Sequence, residues 1–337
     1  MNIFERFFEW FLKWIFGIKE EKQEPIVSTP IPDPIVEPEP EPSNDEFYPP
    51  RAFKTYKFAL LVGVNKYAMP GADLNGCVND VHGMKGVLTK YYGFDPNNMM
   101  VLLDKDATRE NIINGLNWLV ARSREGAELV FHYSGHGSQV LDKDGDEVKD
   151  QLDEILCPHD LDWNHPLTDD IIHNKFKQIH PGAFLTMVCD SCHSGTMSRE
   201  MKPPGVGCSC GDGCGCKTKS RYLQPPQEII DRQIKAFDLG KIKAGPNKIG
   251  KKQGKGIQNH VLLSGCKDNQ TSADAYINNK YQGALTANLL RALTLSPRAN
   301  WPTIHRKAVS TLKGAGFAQD PQLSGADDLL NRNVFGG

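Results

Sequence analysis

The stretch GAFLTMVCDSCHSG, residues 182–195, is the point from which the fold of this chain reads most directly. Its apolar run from Ala183 to Val188 has the length and the flanking turn residues of a buried strand. Cys189 still belongs to that run, whereas Cys192 lies beyond it, in a polar Asp-Ser-Cys-His-Ser-Gly turn. A second stretch, AELVFHYSGHG at 127–137, is built the same way: an apolar run that ends in Ser134-Gly135-His136-Gly137. Two buried runs that each break into a Gly-flanked reactive turn predict strands whose carboxyl ends open on one site.

The pattern continues outward in both directions. KFALLVGVNKY (57–67) predicts a strand, NDVHGMKGVLTKYYG (79–93) a helix stopped by Gly93, and NMMVLLD (98–104) another strand. TRENIINGLNWLVARS (108–123) predicts a helix with Thr108 as its N-cap and Glu110 in its first turn. On the far side, NHVLLSGC (259–266) predicts a strand, and YQGALTANLLRAL (281–293) and WPTIHRKAVSTLKGAG (301–316) predict helices. Strands alternating with helices of this length imply a mostly parallel sheet covered on both faces.

In such a sheet, reactive groups collect just past the carboxyl ends of the strands. If the two stretches above are neighbours, His136 and Cys192 share one crevice. A thiol, with an ordinary pKa near ~8.5, becomes a strong nucleophile when an imidazole takes its proton, and the same imidazole can protonate a leaving amine. Backbone N–H groups of the glycine-containing turn can hold an oxyanion. Cys189 reads as a packed strand residue, and His193, adjacent to Cys192 on a tight turn, points away from it.

The motifs YSGHGSQ, DEILCP, PLTDDII and VCDSCHSG, with LNGCVNDV and QDPQLSG at the two ends, resemble the metacaspase branch of the caspase-like cysteine peptidases. The likeness runs from about Lys57 to Gly325. It implies a caspase-like three-layer α/β/α sandwich with a mostly parallel central sheet, and a dyad of His136 and Cys192. It also implies an acidic primary pocket at Cys77, Asp80, Ser134 and Asp190. Two carboxylates at the base of a crevice favour a Lys or Arg side chain and repel an Asp, so cleavage after Arg or Lys is expected. The Gln-Ala-Cys turn of caspases proper is missing from this chain.

The acidic run LDKDGDEVKDQLDE (141–154) imitates the start of an EF-hand with Asp142, Asp144 and Asp146, but Glu147 stands where that loop needs glycine. The resemblance instead implies calcium at Asp153, Asp169 and Asp170. A further acidic ligand is expected past the nucleophile; Arg199 occupies that place and Glu200 follows it. Cys208, Cys210, Cys214 and Cys216 crowd into nine residues, either as four thiolates for one tetrahedral zinc or as a reactive Gly/Cys loop, and no motif of the family covers them.

The 337 residues divide into three parts. Residues 1–20, MNIFERFFEWFLKWIFGIKE, form an amphipathic helix: Glu5, Arg6, Glu9 and Lys13 share one arc and aromatic residues fill the rest. These charges exclude a membrane span, and no cleavage site follows, so the helix is expected to lie on a membrane surface or against a protein partner. Residues 21–54 form an extended spacer with nine prolines between Pro25 and Pro50. Residues 55–337 form a monomeric peptidase domain with an insert at about 196–258 that carries 13 Lys or Arg against five acidic residues. A short helix is expected within it at PQEIIDRQIKAFD (226–238).

The net charge of −2 and nine unevenly spaced cysteines point to a reducing, cytoplasmic setting and away from specific nucleic-acid binding. The tethered basic residues Arg199, Lys202, Lys217, Lys219 and Arg221 lie beside an acidic pocket, and self-processing of a zymogen within the insert is expected. Two other classes compete: a catalytically silent scaffold, and a zinc or nucleic-acid module built on the insert. The intact set of His136, Cys192, Asp80 and Asp190 opposes the first.

Overall fold

The computed structural model describes residues 56–141, 152–192, 218–238, 260–267 and 270–337. The expected N-terminal helix, the Pro-rich spacer, Asp142, Asp144, Asp146, Glu147, His193, Arg199, Glu200, Lys202, Lys217 and the four clustered cysteines lie outside them.

The described residues contain a six-stranded sheet made of β1 (Lys57–Gly63), β2 (Met99–Leu103), β3 (Glu128–Ser134), β7 (Phe184–Asp190), β9 (His260–Ser264) and the short edge strand β12 (Gln322–Ser324). Their order across the sheet is β12-β9-β7-β3-β1-β2. All neighbours pair in parallel except β12, which runs antiparallel to β9. Every residue of β1 and of β3 is buried, as a continuous apolar run between two covering layers requires. Side chains alternate between two cores. Phe58, Leu60 and Val62 enter one with Ile112, Leu116 and Leu119 of α2 (Arg109–Arg122). Ala59 and Leu61 enter the other with Val81, Met84 and Leu88 of α1 (Cys77–Tyr92) and Leu285 and Leu289 of the later helix at Ala284–Leu295. The strand period of two thus becomes a three-layer α/β/α sandwich.

Local signals hold where they were read. Thr108 accepts from the Asn111 N–H at 3.2 Å and starts α2. Gly93 ends α1 at φ 69°, a left-handed conformation that glycine adopts without steric cost. The insert helix forms at Gln227–Asp238.

Two small antiparallel sheets were not foreseen. One joins β4 (Gly137–Leu141), β5 (Leu152–Leu156) and β6 (Leu167–Thr168). The other joins β8 (Lys219–Ser220), β10 (Ala273–Ile277) and β11 (Lys280–Gly283). Residues 281–283, expected to open a helix, instead finish β11, and the helix begins at Ala284. The cause is a two-residue hairpin loop: Asn278 and Asn279 have φ of 51° and 64°, the turn that matches the twist of paired strands.

Candidate active site

β3 and β7 are direct parallel neighbours, with Ser134 opposite Asp190 in the register. The chain leaves both strands at the same edge, which brings the turns carrying His136 and Cys192 together. The His136 backbone is tightly held. Its N–H donates to the Tyr67 phenol oxygen at 2.7 Å, and its carbonyl accepts from the Tyr133 hydroxyl at 2.7 Å. Nε2 lies 2.7 Å from the Ala72 carbonyl, an oxygen that can only accept, so Nε2 carries the proton. Nδ1 is buried without a hydrogen-bond partner, with its lone pair free to take a proton. Burial pushes the imidazole pKa down to about 4, against the backbone contacts that raise it, so the ring is neutral in the physiological range.

Cys192 is fully buried. Its Sγ accepts from the Ser272 N–H at 2.5 Å, and Cys266 lies within hydrogen-bonding reach of it. Cys189, one turn back on β7, is buried in the core, and burial pushes its thiol pKa up to about 12. That holds it as an inert thiol, in line with its reading as a packing residue.

The third part of the site comes from the insert. Lys219–Ser220 pairs antiparallel with β10, Ser220 opposite Ala273 and Lys219 opposite Asp274. The strand then ties Arg221 to both turns: its N–H donates to the Ser272 carbonyl at 3.0 Å, and its carbonyl accepts from the Gly137 N–H, next to His136, at 2.9 Å. The Leu223 N–H returns to the Gly137 carbonyl at 2.9 Å. Peptide on both sides of the Arg221 carbonyl is therefore tied to the walls of the cleft.

The Arg221 side chain is fully buried in a pocket of three carboxylates. NH2 lies 2.7 Å from Asp80 Oδ2 and 3.2 Å from Asp274 Oδ1, and NH1 lies 3.3 Å from Asp190 Oδ2. NH1 also donates to Ser134 Oγ at 2.9 Å and to the Asp190 carbonyl at 2.8 Å. Each carboxylate is fixed by other donors: Asp80 by Ser134 Oγ and the Gly283 N–H, Asp190 by Ser272 Oγ and by Thr286 N and Oγ1, Asp274 by the N–H groups of Asn75 and Gly76. Burial pushes the Asp80 carboxyl up to about 7, and the Arg221 guanidinium pulls the other way. Cys77, the fourth pocket position expected from sequence, is buried at the start of α1, its thiol raised above the ordinary range by burial.

Asp274, Ser272 and Ala72 carry no motif that marks them for this site, and Gly137 is marked only as part of the turn that holds His136. Ala72, Gly137 and the Ser272 peptide act through backbone groups, which leave no side-chain signal. Asp274 had one: in SADAYI it is a lone acid inside an apolar, strand-like run that precedes the Asn-Asn turn.

Of the residues expected to hold calcium, Asp153 lies on β5, and Asp169 and Asp170 form the first turn of the helix Asp169–Phe176 (α3). Asp153 and Asp170 line one cavity of about 360 Å³ with Arg109, Asn164 and Thr168. Among the described residues, no three His, Cys, Asp or Glu side chains converge closely enough to hold a metal by themselves. The lining thus mixes oxygen donors from Asp153, Asp170, Asn164 and Thr168 with the nitrogen side chains of Arg109 and His165.

A three-layer α/β/α sandwich with a thiol and an imidazole at adjacent strand ends defines a caspase-like cysteine peptidase class. A family model described as metacaspase, peptidase C14 domain, matches residues 57–200. The chain is 32% identical over 299 residues to Metacaspase-1 of Candida glabrata, covering 80% of this chain and 73% of that one. It is 32% identical over 284 residues to Metacaspase-1 of Yarrowia lipolytica, covering 80% and 61%, and 31% identical over 291 residues to Metacaspase-1 of Saccharomyces cerevisiae, covering 80% and 66%. The chain thus spans roughly two thirds of the length of these relatives. A crystal structure of a Geobacter sulfurreducens protein superposes with a TM-score of 0.57 at 24% identity, over 83% of this chain and 98% of that one, which shows the shared fold. The chain belongs to the metacaspases, a family of cysteine-type peptidases.

Proposed function

We propose that this protein is an endopeptidase that cleaves after Arg or Lys and processes itself between Arg221 and Tyr222. The observation that carries this is the Arg221 residue, whose side chain fills the acidic pocket while its backbone N–H and carbonyl are both bonded across the cleft. In this reading the insert lies as a substrate would, added as a strand to β10. His136 Nδ1 takes the Cys192 proton, and the thiolate attacks the carbonyl of the residue in the pocket. The Gly137 N–H steadies the oxyanion, and His136 returns the proton to the departing amine. Water then hydrolyses the thioester and releases the new carboxylate.

Calcium stimulation belongs to the same proposal. Asp153 and Asp170, with the oxygens of Asn164 and Thr168 around their cavity, would hold the ion, which would supply positive charge that orders this part of the domain. A zinc site at Cys208, Cys210, Cys214 and Cys216, a fourth calcium ligand at Glu200, and a membrane-surface anchor at 1–20 stay as proposals from sequence, since those residues lie outside the described ones. Among the described residues, no helix is long and apolar enough to cross a membrane.

The test is a peptide set that varies only the residue before the scissile bond, with and without calcium, for wild type and Cys192→Ala. Cleavage after Arg and Lys, absent in Cys192→Ala, is the expected result; cleavage after Asp would overturn the pocket assignment.

A further inference from the structure

We infer that the pocket selects arginine over lysine, and that Asp274 is the residue that makes the distinction; this rests on reading the Arg221 segment as a bound substrate strand. The pocket recognises the guanidinium at two separate points. NH1 is held by Ser134 Oγ and the Asp190 carbonyl, at 2.9 and 2.8 Å, from the ends of β3 and β7. NH2 bridges Asp80 on α1 and Asp274 on β10, at 2.7 and 3.2 Å. Two terminal nitrogens of a planar fork thus meet two walls of the pocket.

An ammonium cannot reproduce this arrangement. It is a single point charge of shorter reach, and wherever it settles it meets one wall only, leaving a buried carboxylate charge or carbonyl lone pair on the other without the donor that the guanidinium supplies. In a recess closed to water, a polar group left unpaired is more costly than a contact never made. Asp274 cannot swing across to follow the shorter side chain, because Oδ2 accepts from the Asn75 N–H at 2.8 Å and Oδ1 from the Gly76 N–H at 3.0 Å. Asp190 is likewise tied, by Ser272 and Thr286. The fit is close on the remaining sides as well: a Cβ at Gly283 would collide with both the Asp190 carboxylate and the Arg221 guanidinium.

Asp274 differs from the other two carboxylates in its connections. Asp80 and Asp190 both exchange contacts with Ser134 or the backbone that NH1 uses, so either favours any cation in the pocket. Asp274 touches the ligand through NH2 alone. Its loss therefore reduces the second recognition point to the Asp80 contact alone and leaves the first untouched.

Two peptides identical except for Arg or Lys before the cut, assayed on the full chain after calcium activation, read this directly. Wild type is expected to favour Arg on the order of tenfold or more in kcat/KM. Asp274→Asn is expected to lower cleavage after Arg by about tenfold and after Lys by no more than about threefold, so that the ratio collapses. A general loss of fold would lower both rates together, and the ratio would stand. Agmatine and 1,5-diaminopentane, which carry the two side-chain heads without a peptide, give a second reading on wild type alone: agmatine should compete the more strongly. Equal rates on the two peptides, equal inhibition by the two amines, or an unchanged ratio in Asp274→Asn would overturn the assignment. Failure to cleave after either residue would overturn the reading of Arg221 on which it rests.

Discussion

Two acidic regions of this molecule use the same residue type in opposite ways. Asp80, Asp190 and Asp274 are fully buried around one guanidinium supplied by the chain itself. Asp153 and Asp170 instead border a cavity of about 360 Å³. In the first, low dielectric and fixed donors specify where each nitrogen of a cation goes, which suits recognition of a side chain of one shape. In the second, room for several oxygens and for water suits a spherical ion with a flexible ligand shell. Carboxylates read the geometry of a cation only when the surrounding protein forbids them to move.

The largest effect that separates the two regions should follow removal of the resident cation. Arg221→Ala leaves three buried carboxylates without their partner and should destabilise the domain by about 3 kcal/mol near pH 8. Because burial already raises the Asp80 carboxyl to about 7, its negative charge is lost as pH falls through that value, and the deficit should shrink toward pH 6. Thermal melts of the variant and wild type at the two pH values check this; an equal deficit at both would mean that the pocket charge is not what Arg221 balances.

Next in size is the response to calcium. Asp153→Ala and Asp170→Ala should each abolish stimulation while leaving the uncut Arg221 pocket intact, since neither touches it. Titration of peptidase activity with calcium decides the matter. A variant that responds as wild type does would move the ion to some other part of the chain.

A smaller effect lies in the pH profile. His136, depressed to about 4, is a ready base well below neutrality, so the acid limb of kcat/KM belongs to the pocket. With the Arg221 segment displaced, Asp80 loses the guanidinium that lowers its pKa and gains water that offsets the burial raising it, so for an Arg substrate the limb should stay well above that of His136. A limb near pH 4 would assign it to His136 and leave the pocket ionised throughout.

The smallest concerns the helix that borders the cavity of Asp153 and Asp170. Thr168 Oγ1 accepts from the Ile171 N–H and caps α3, so Thr168→Ala should cost about 1 kcal/mol in a denaturant melt and weaken the calcium response in proportion. A full calcium response in a destabilised Thr168→Ala would separate the cap from the site.

How far the sequence carried these conclusions differs by element. The parallel sheet was legible because β1, β3 and β7 are buried on both faces and so read as unbroken apolar runs. The adjacency of the two strands that lead to His136 and Cys192 was legible for the same reason, once two such runs ended in reactive turns. The small sheets were not, since β8 has two residues and β11 four, too short to establish a period. Missing β10 meant missing Asp274 and the Ser272 backbone, half of the cleft wall. Arg221 was legible only as one of several tethered basic residues; its selection depends on strand pairing with β10, a contact 53 residues away along the chain.

If the Arg221 segment occupies the cleft as a substrate, the fragments of the protein itself will record it. Purified wild type, given calcium, should convert to two chains that intact-mass analysis resolves as residues ending at Arg221 and beginning at Tyr222. Cys192→Ala should remain whole under the same conditions, and Arg221→Ala should not be cut at this junction. A wild-type chain that hydrolyses Arg peptides while the bond after Arg221 stays intact would mean that the segment is not a substrate.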